Sequence, residues 1–169
     1  MKLTIRNPLN KRTTSPVQLS QLGFGGAPLG NLYRKIDDKD AQAALDATLT
    51  YMGERKAFGK TIDQFQGLQF RLADAEIELQ AARTFLRQAA WKLDNGTPDA
   101  TKFCAMAKKF VTEAGSRVAD QCLQLHGGYG YLADYGIEKI VRDLRVHQIL
   151  EGTNEIMRLI VARQLLAER

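Results

Sequence analysis

Several residue types that define special classes of protein are scarce in this sequence. Its two histidines do not complete a convincing zinc set with its two cysteines, so we predict no metal centre and free thiols. No apolar run approaches the ~20 residues that a membrane-spanning helix needs, and Lys2 and Arg6 are not followed by the apolar stretch of a secretory signal. These absences predict a reduced, cytoplasmic protein that does not enter a membrane.

Acidic residues are missing from the first 36 positions, which accounts for the net charge of +5. Six basic residues lie in that segment, whereas the remaining chain holds 18 basic and 19 acidic residues. A nucleic-acid interface would instead place its positive charge on a face of the folded body. The charge pattern therefore does not predict nucleic-acid binding.

Proline is also scarce, and three of the four prolines precede residue 36, together with four glycines in residues 23–30. This composition is typical of turns and short extended pieces, so we expect residues 1–37 to be extended or disordered. The whole chain has 169 residues, 44% of them hydrophobic, which suits one domain of ordinary size. We place that domain at residues 38–169.

Helical periodicity dominates this second part. Apolar residues recur alternately three and four positions apart from Phe65 to Leu93, which predicts one helix over about 63–94. The apolar face is widened by four bulky residues, so we expect it to pack on more than one neighbour: Phe70, Ile77, Phe85 and Trp91.

Capping residues and glycines delimit the other predicted helices. We expect them over about 38–56, 97–125 and 154–167, with a shorter helix after Asp134. In the third helix Thr97 is the predicted N-cap and Pro98 the first helical residue. Four long helices joined by short links predict an all-α four-helix bundle.

The first unusual segment between helices is residues 54–60. Arg55 offers a planar fork for phosphate oxygens, and Phe58 offers a face for an aromatic ring. The alternative is a helix C-terminus whose basic residues complement the dipole and whose phenylalanine packs on the helix end.

The second unusual segment is residues 124–131, which contains Gly127, Gly128 and Gly130. Glycine lets a ligand approach the backbone closely, and the unpaired backbone groups of a helix end can bind it. A glycine C-cap followed by a turn is the alternative, and the residues alone leave the two readings open.

The third segment is residues 150–155, where Glu151 stands in a loop before a helix among apolar neighbours. A carboxylate that is partly removed from water holds a proton more readily and can act as a general base near neutral pH. The alternative is an acid that simply stabilises the helix N-terminus.

Taken together, these segments resemble the C-terminal helical domain of acyl-CoA dehydrogenases, most closely the isobutyryl-CoA and short-chain type. The resemblance covers residues 41–169 and rests on three motifs in the same order: 51–60 (YMGERKAFGK), 124–131 (QLHGGYGY) and 142–158 (RDLRVHQILEGTNEIMR). It implies FAD as cofactor, an acyl-CoA thioester as substrate and a homo-oligomer, either a dimer or a tetramer.

The resemblance also implies a role for individual residues. Glu151 matches the base that removes the α-proton of the thioester while the β-hydride passes to the flavin, and Gly152 would lie against the thioester. Arg55 matches the arginine at the FAD diphosphate of a neighbouring subunit. The other positions that match cofactor contacts are Ala57, Phe58, Phe65, Gln66, Gln124, Leu125, His126, Gly127, Gly128, Thr153 and Glu155.

A different resemblance is found near the N-terminus. Residues 21–33 (QLGFGGAPLGNLY), followed by 40–46 (DAQAALD), look like the start of an aldo/keto reductase of the pyridoxal or fucose dehydrogenase type. One strand cannot close the eight-stranded barrel of that family. We therefore expect residues 1–37 to be a reductase-like remnant fused to the helical domain.

Three functions compete at this stage. The first is a truncated acyl-CoA dehydrogenase, inactive on its own or a partial flavin-binding form, because the family's N-terminal and middle domains do not precede the bundle. The second is a non-catalytic helical oligomerisation module. The third is an NADPH-dependent aldo/keto reductase, which the missing barrel argues against.

Overall fold

The computed structural model describes residues 39–168, and within them the fold is all-α. It has five α-helices: α1 (Lys39–Glu54), α2 (Gln66–Asp94), α3 (Ala100–His126), α4 (Ile137–Arg145) and α5 (Asn154–Ala167). A small antiparallel hairpin, β1 (Lys56–Ala57) and β2 (Lys60–Thr61), separates α1 from α2. The predicted extended segment 1–37 and the reductase-like motif at 21–33 lie outside the described residues.

Short 3-10 turns complete the links between the helices. They are Ile62–Gln64, Gly127–Tyr131, Ala133–Tyr135 and Val146–Gln148. None of the helices in residues 39–168 is both long and apolar enough to cross a membrane.

The main core lies where α1, α2, α3 and α4 meet. Small side chains alternate with larger ones on the facing surfaces, so the helices approach closely. At one crossing of α1 and α3, a side chain built on Gly115 would meet Ala41 at 4.0 Å. The buried members of this cluster are Ala41, Ala44, Leu45, Ala75, Leu79, Val118, Cys122 and Ile137. This core fixes the end of α3 relative to α1, and both ends contribute to the site described below.

The apolar stripe of α2 is buried in its middle and exposed at its end. Ala75, Leu79, Ala82 and Ala89 are buried, whereas Leu93 is 61% exposed. The apolar stripe therefore does not stay buried as far as Leu93. It lies in the last turn, just before the backbone turns away at Asn95 and Gly96.

The four bulky residues predicted to widen this face behave differently from one another. Phe85 packs edge-on against Phe103 and Phe110, at centroid distances of 6.2 and 5.9 Å. Phe70, Ile77 and Trp91 are each at least 60% exposed, so the prediction of further packing fails for them within the described chain.

The third helix starts later than predicted, because hydrogen bonds hold the residues before it in a turn. α3 begins at Ala100 with Asp99 as N-cap, and Thr97 and Pro98 belong to the preceding turn. The Thr97 hydroxyl donates to the Asp99 carboxylate at 2.8 Å, and the Ala100 amide donates to the Thr97 carbonyl at 3.0 Å. Lys92 from α2 pairs with Asp99 at 2.7 Å. These contacts form a turn that includes Pro98, so the prediction of Pro98 as the first helical residue was wrong.

The last helix begins and ends as predicted. The Thr153 hydroxyl accepts a hydrogen bond from the Ile156 amide at 3.4 Å and caps α5. The short predicted helix after Asp134 is α4.

Candidate functional site

A cavity with a volume of about 810 Å³ opens where the end of α1, the hairpin and the start of α2 face the end of α3. Two of the three predicted motifs meet here, although they are far apart in sequence. The predicted contact residues that line it are Arg55, Ala57, Phe58, Phe65, Gln124, Leu125, His126, Gly127 and Gly128. The remaining lining residues are Tyr51, Ile62, Gly67, Leu68, Arg71 and Tyr129.

Tyr51 joins the two motifs. Its hydroxyl donates to the His126 carbonyl at 3.1 Å, and its ring stacks on the His126 ring with centroids 4.3 Å apart and planes 19° apart. Tyr129 and Tyr135 pack against the same tyrosine at 6.4 and 5.7 Å. Burial raises the pKa of Tyr51, partly opposed by the charge of Arg55. Tyr51 therefore remains a neutral donor at physiological pH.

His126 forms a buried part of the cavity wall. Its side chain is almost fully buried, and its Nδ1 lies 2.8 Å from the Cys122 carbonyl one turn earlier in α3. A neutral ring would donate through Nδ1, because the carbonyl can only accept. This bond and the stacking on Tyr51 fix the ring in one orientation.

The hairpin presents Phe58 at its tip. Phe58 and Gly59 have φ of 52° and 81°, as a two-residue turn between antiparallel strands requires. The Phe58 ring is 96% exposed and meets Phe65 edge-on at 6.2 Å. The fold therefore holds an aromatic face at the mouth of the cavity, at the expense of an unfavourable backbone conformation.

Positive charge characterises this cavity. Two arginines, Arg55 and Arg71, line it, and no carboxylate is among its lining residues. The Arg55 guanidinium lies 4.7 Å from the centre of the Tyr129 ring, in a cation–π contact. Sequence reasoning missed Arg71, although its position four residues after Gly67 puts it on the same helical face as that residue.

The three glycines of the second motif have different surroundings. Gly127 has a φ of 60° and open space around its α-carbon. Gly128 also has open space, with no unusual φ. Gly130 is packed tightly: a β-carbon there would lie 2.7 Å from the Leu123 carbonyl oxygen. Open backbone at 127 and 128 leaves room for a ligand, whereas Gly130 serves packing.

The third motif forms a separate region on the loop before α5. Glu151 is exposed and has a φ of 56°, and Gly152 follows with a φ of 88°. Neither they nor Thr153 and Glu155 line the cavity, and Gln66 is likewise outside its lining.

The first turn of α5 carries the other two predicted residues of this region. Thr153 is the N-cap of the helix. Hydrogen bonds from its own backbone amide, from Thr153 and from Arg158 hold the pKa of Glu155 below its usual value. Glu155 is therefore ionised at neutral pH.

Known proteins match the helical part of this chain. A family model described as acyl-CoA dehydrogenase, C-terminal domain, matches residues 39–166. The probable acyl-CoA dehydrogenase YngJ of Bacillus subtilis is 50% identical over 126 residues, which are 75% of this chain and 33% of that protein. Mitochondrial isobutyryl-CoA dehydrogenase of Bos taurus is 47% identical over 128 residues, 76% of this chain and 31% of that protein.

Solved structures match in the same way. The FAD complex of PigA superposes with a TM-score of 0.71 at 32% identity, covering 76% of this chain and 33% of that one. The chain thus spans about a third of the length of the relatives it matches. These comparisons do not support the predicted aldo/keto reductase-like segment or the reductase activity. From the match over residues 39–166, this chain belongs to the acyl-CoA dehydrogenase family, in its C-terminal domain.

Proposed function

We propose that this chain supplies the C-terminal part of an FAD-dependent acyl-CoA dehydrogenase and that its cavity binds the adenosine diphosphate end of FAD. The observation that carries the proposal is the single cavity that joins the Arg55–Phe58 segment to the glycine segment at the end of α3. Its volume of about 810 Å³ is within the usual size of a ligand pocket.

The cavity has the chemistry that this ligand requires. Arg55 and Arg71 offer guanidinium groups to the diphosphate oxygens, and no lining carboxylate repels them. Phe58 and Tyr129 offer ring faces to an aromatic base. The open backbone at Gly127 and Gly128 leaves amide groups accessible. When bound, FAD supplies the acceptor for a hydride from the substrate.

Glu151 is the proposed general base. It would take the proton from the α-carbon of an acyl-CoA thioester, with Gly152 against the substrate and Thr153 and Glu155 on the flavin side. Glu151 lies on the loop before α5 and is exposed. The 47% identity to an isobutyryl-CoA dehydrogenase supports a short acyl chain as substrate.

The separation of the two regions supports a homo-oligomer, which we propose to be a dimer or tetramer. The cavity residues and the Glu151 loop would then serve cofactors of different subunits. Large apolar side chains exposed on α2 and α5 favour such association: Phe70, Ile77, Trp91, Leu165 and Leu166. Light scattering should show an oligomer at micromolar concentration, and a stable monomer would contradict the proposal.

Binding of FAD is tested with the purified 169-residue chain by calorimetry and by flavin fluorescence. Arg55→Gln should weaken binding about tenfold or more, because a hydrogen bond to a charged group contributes roughly 1.5–3 kcal/mol. Arg87→Gln is the matched control, since Arg87 is an exposed arginine of α2 outside the cavity lining. Equal affinity in the two variants, or no binding to the parent chain, would contradict the proposed site.

We also propose that this chain alone does not oxidise acyl-CoA and acts as a helical assembly module with a partial flavin site. Glu151 is exposed to solvent in the described structure, and precise positioning of reactants can contribute roughly 7–11 kcal/mol of barrier lowering in enzymes. An acyl-CoA oxidation assay with FAD and an artificial electron acceptor should show no turnover. Turnover that disappears in Glu151→Gln would overturn the proposed inactivity and support the proposed base.

A further inference from the structure

The loop that carries Glu151 has an unfavourable backbone. Glu151 and Gly152 have successive positive φ values of 56° and 88°. A residue other than glycine keeps such a conformation only where the surrounding structure holds it. A side chain at Gly152 would lie 2.7 Å from the Met157 terminal carbon, so the loop packs beside a side chain of the first turn of α5.

Lys108 of α3 provides the contact that holds this loop. Its Nζ donates to the Gly152 carbonyl at 2.8 Å and to the Asn154 side-chain oxygen at 2.8 Å. Within residues 39–168, no other side chain hydrogen-bonds the backbone of Glu151 or Gly152. The lysine therefore connects the loop to a helix of the core.

The second acceptor of Lys108 is itself fixed. Asn154 is 3% exposed, and its amide nitrogen donates to the Thr112 hydroxyl at 3.1 Å and to Glu113 at 3.4 Å. Thr112 belongs to α3, one turn after Lys108. Lys108 thus bonds on one side to a buried, fully engaged amide and on the other to the strained loop.

The charges around Lys108 support this arrangement. Partial burial lowers the pKa of Lys108, and the carboxylates of Glu151 and Glu155 oppose that shift. The neighbouring cations are engaged elsewhere, because Lys109 pairs with Glu113 at 2.8 Å and Arg158 pairs with Glu113 and Glu155. Lys108 thus lies close enough to the carboxylates of Glu151 and Glu155 to feel their charge.

We propose that Lys108 is a positioning residue for Glu151: its ammonium, braced by Asn154, holds the Gly152 carbonyl and so sets the direction of the carboxylate. This proposal rests on the proposed role of Glu151 as the base. Lys108 itself donates no proton to the substrate and contacts no reacting atom.

The test compares Lys108→Met with Lys102→Met in the full chain by NMR and amide hydrogen exchange. Methionine keeps the apolar stem and removes the charge. Lys102 is the matched control, since it also joins α3 to the α5 end through an ion pair with Glu168, but far from the loop. In the Lys108 variant the hydrogen-bonded amides that follow the loop, those of Ile156 and Met157, should exchange about tenfold faster or more, which corresponds to the loss of a charged hydrogen bond.

Exchange of amides far from the loop distinguishes a positioning role of Lys108 from a general effect on the stability of the fold. Amides of Val118 and Cys122 in the core should exchange at the parent rate in Lys108→Met, and Lys108→Arg should restore the parent resonances of Glu151 and Gly152. Uniform acceleration through α3, or loop resonances unchanged in Lys108→Met, would overturn the proposal. None of these readouts needs flavin or substrate, so they test the contact of Lys108 with the loop whether or not Glu151 acts as a base.

Discussion

Replacing each glycine of the second motif by alanine should have three different effects on stability. At Gly127 the backbone has φ 60° and ψ −140°, a region that is nearly restricted to glycine. The added β-carbon meets no atom there, so the cost is conformational and should be ~1–3 kcal/mol. At Gly128 there is neither a positive φ nor a contact, and the change should stay within about 0.5 kcal/mol.

The effect at Gly130 is steric. The added carbon would lie 2.7 Å from the Leu123 carbonyl oxygen, 3.1 Å from the His126 β-carbon and 3.2 Å from the Leu123 γ-carbon. The carbonyl belongs to the backbone of α3 and cannot rotate away. Overpacking of this kind costs typically 1–3 kcal/mol, and we expect the upper part of that range.

Urea denaturation followed by circular dichroism at 222 nm measures all three variants against the parent. Gly128→Ala should have the same free energy of unfolding as the parent, Gly127→Ala a lower one, and Gly130→Ala the lowest. The slopes with denaturant should agree, since the surface exposed on unfolding is nearly unchanged. A Gly128→Ala variant as unstable as Gly130→Ala would refute the assignment of separate roles to these glycines.

Two further predictions concern the core and its charges. Leu45→Ala should lower the free energy of unfolding by ~2–5 kcal/mol, because Leu45 is 2% exposed. Leu93 is 61% exposed, so Leu93→Ala should change the free energy of unfolding by less than about 0.5 kcal/mol. Similar losses for the two variants in urea denaturation would contradict this prediction. Burial opposes ionisation of Glu113, but Lys109 and Arg158 outweigh it and hold the pKa of that carboxyl below the usual 4.5. A carboxyl whose pKa is lowered by folding adds stability above the usual 4.5, and this stability is lost as pH falls through the folded-state pKa. Glu113→Gln should therefore be less stable than the parent near pH 7 and lose less stability below about pH 5, and parallel pH–stability curves for the two proteins would refute this.

The sequence predicted the helical architecture well because periodicity decides it. The apolar spacing of α2 is a local signal, and the helix that it predicts is confirmed. The ends of helices were predicted less well where a partner from another element competes. Asp99 caps α3 while its carboxylate is held by Lys92 of α2, and no local pattern shows that contact.

The candidate site was only partly predictable. The resemblance named residues from both motifs, but spacing alone could not place Arg55 beside the glycine segment. Arg71 was missed because an exposed arginine on a long helix looks like ordinary surface. The motifs also could not predict that the Glu151 loop lies outside the cavity, since its position depends on how α5 packs on α3.

The contact between Tyr51 and His126 has a consequence for folding. The two residues are 75 positions apart, so their hydrogen bond closes a long loop of chain. Closing it costs entropy that only the docking of α1 on α3 can offset. Helices could therefore form in a partly folded chain without any cavity, and the stacked rings would be among the last contacts to form. Near-ultraviolet signals from this tyrosine cluster would report completed tertiary assembly, whereas helix content would not.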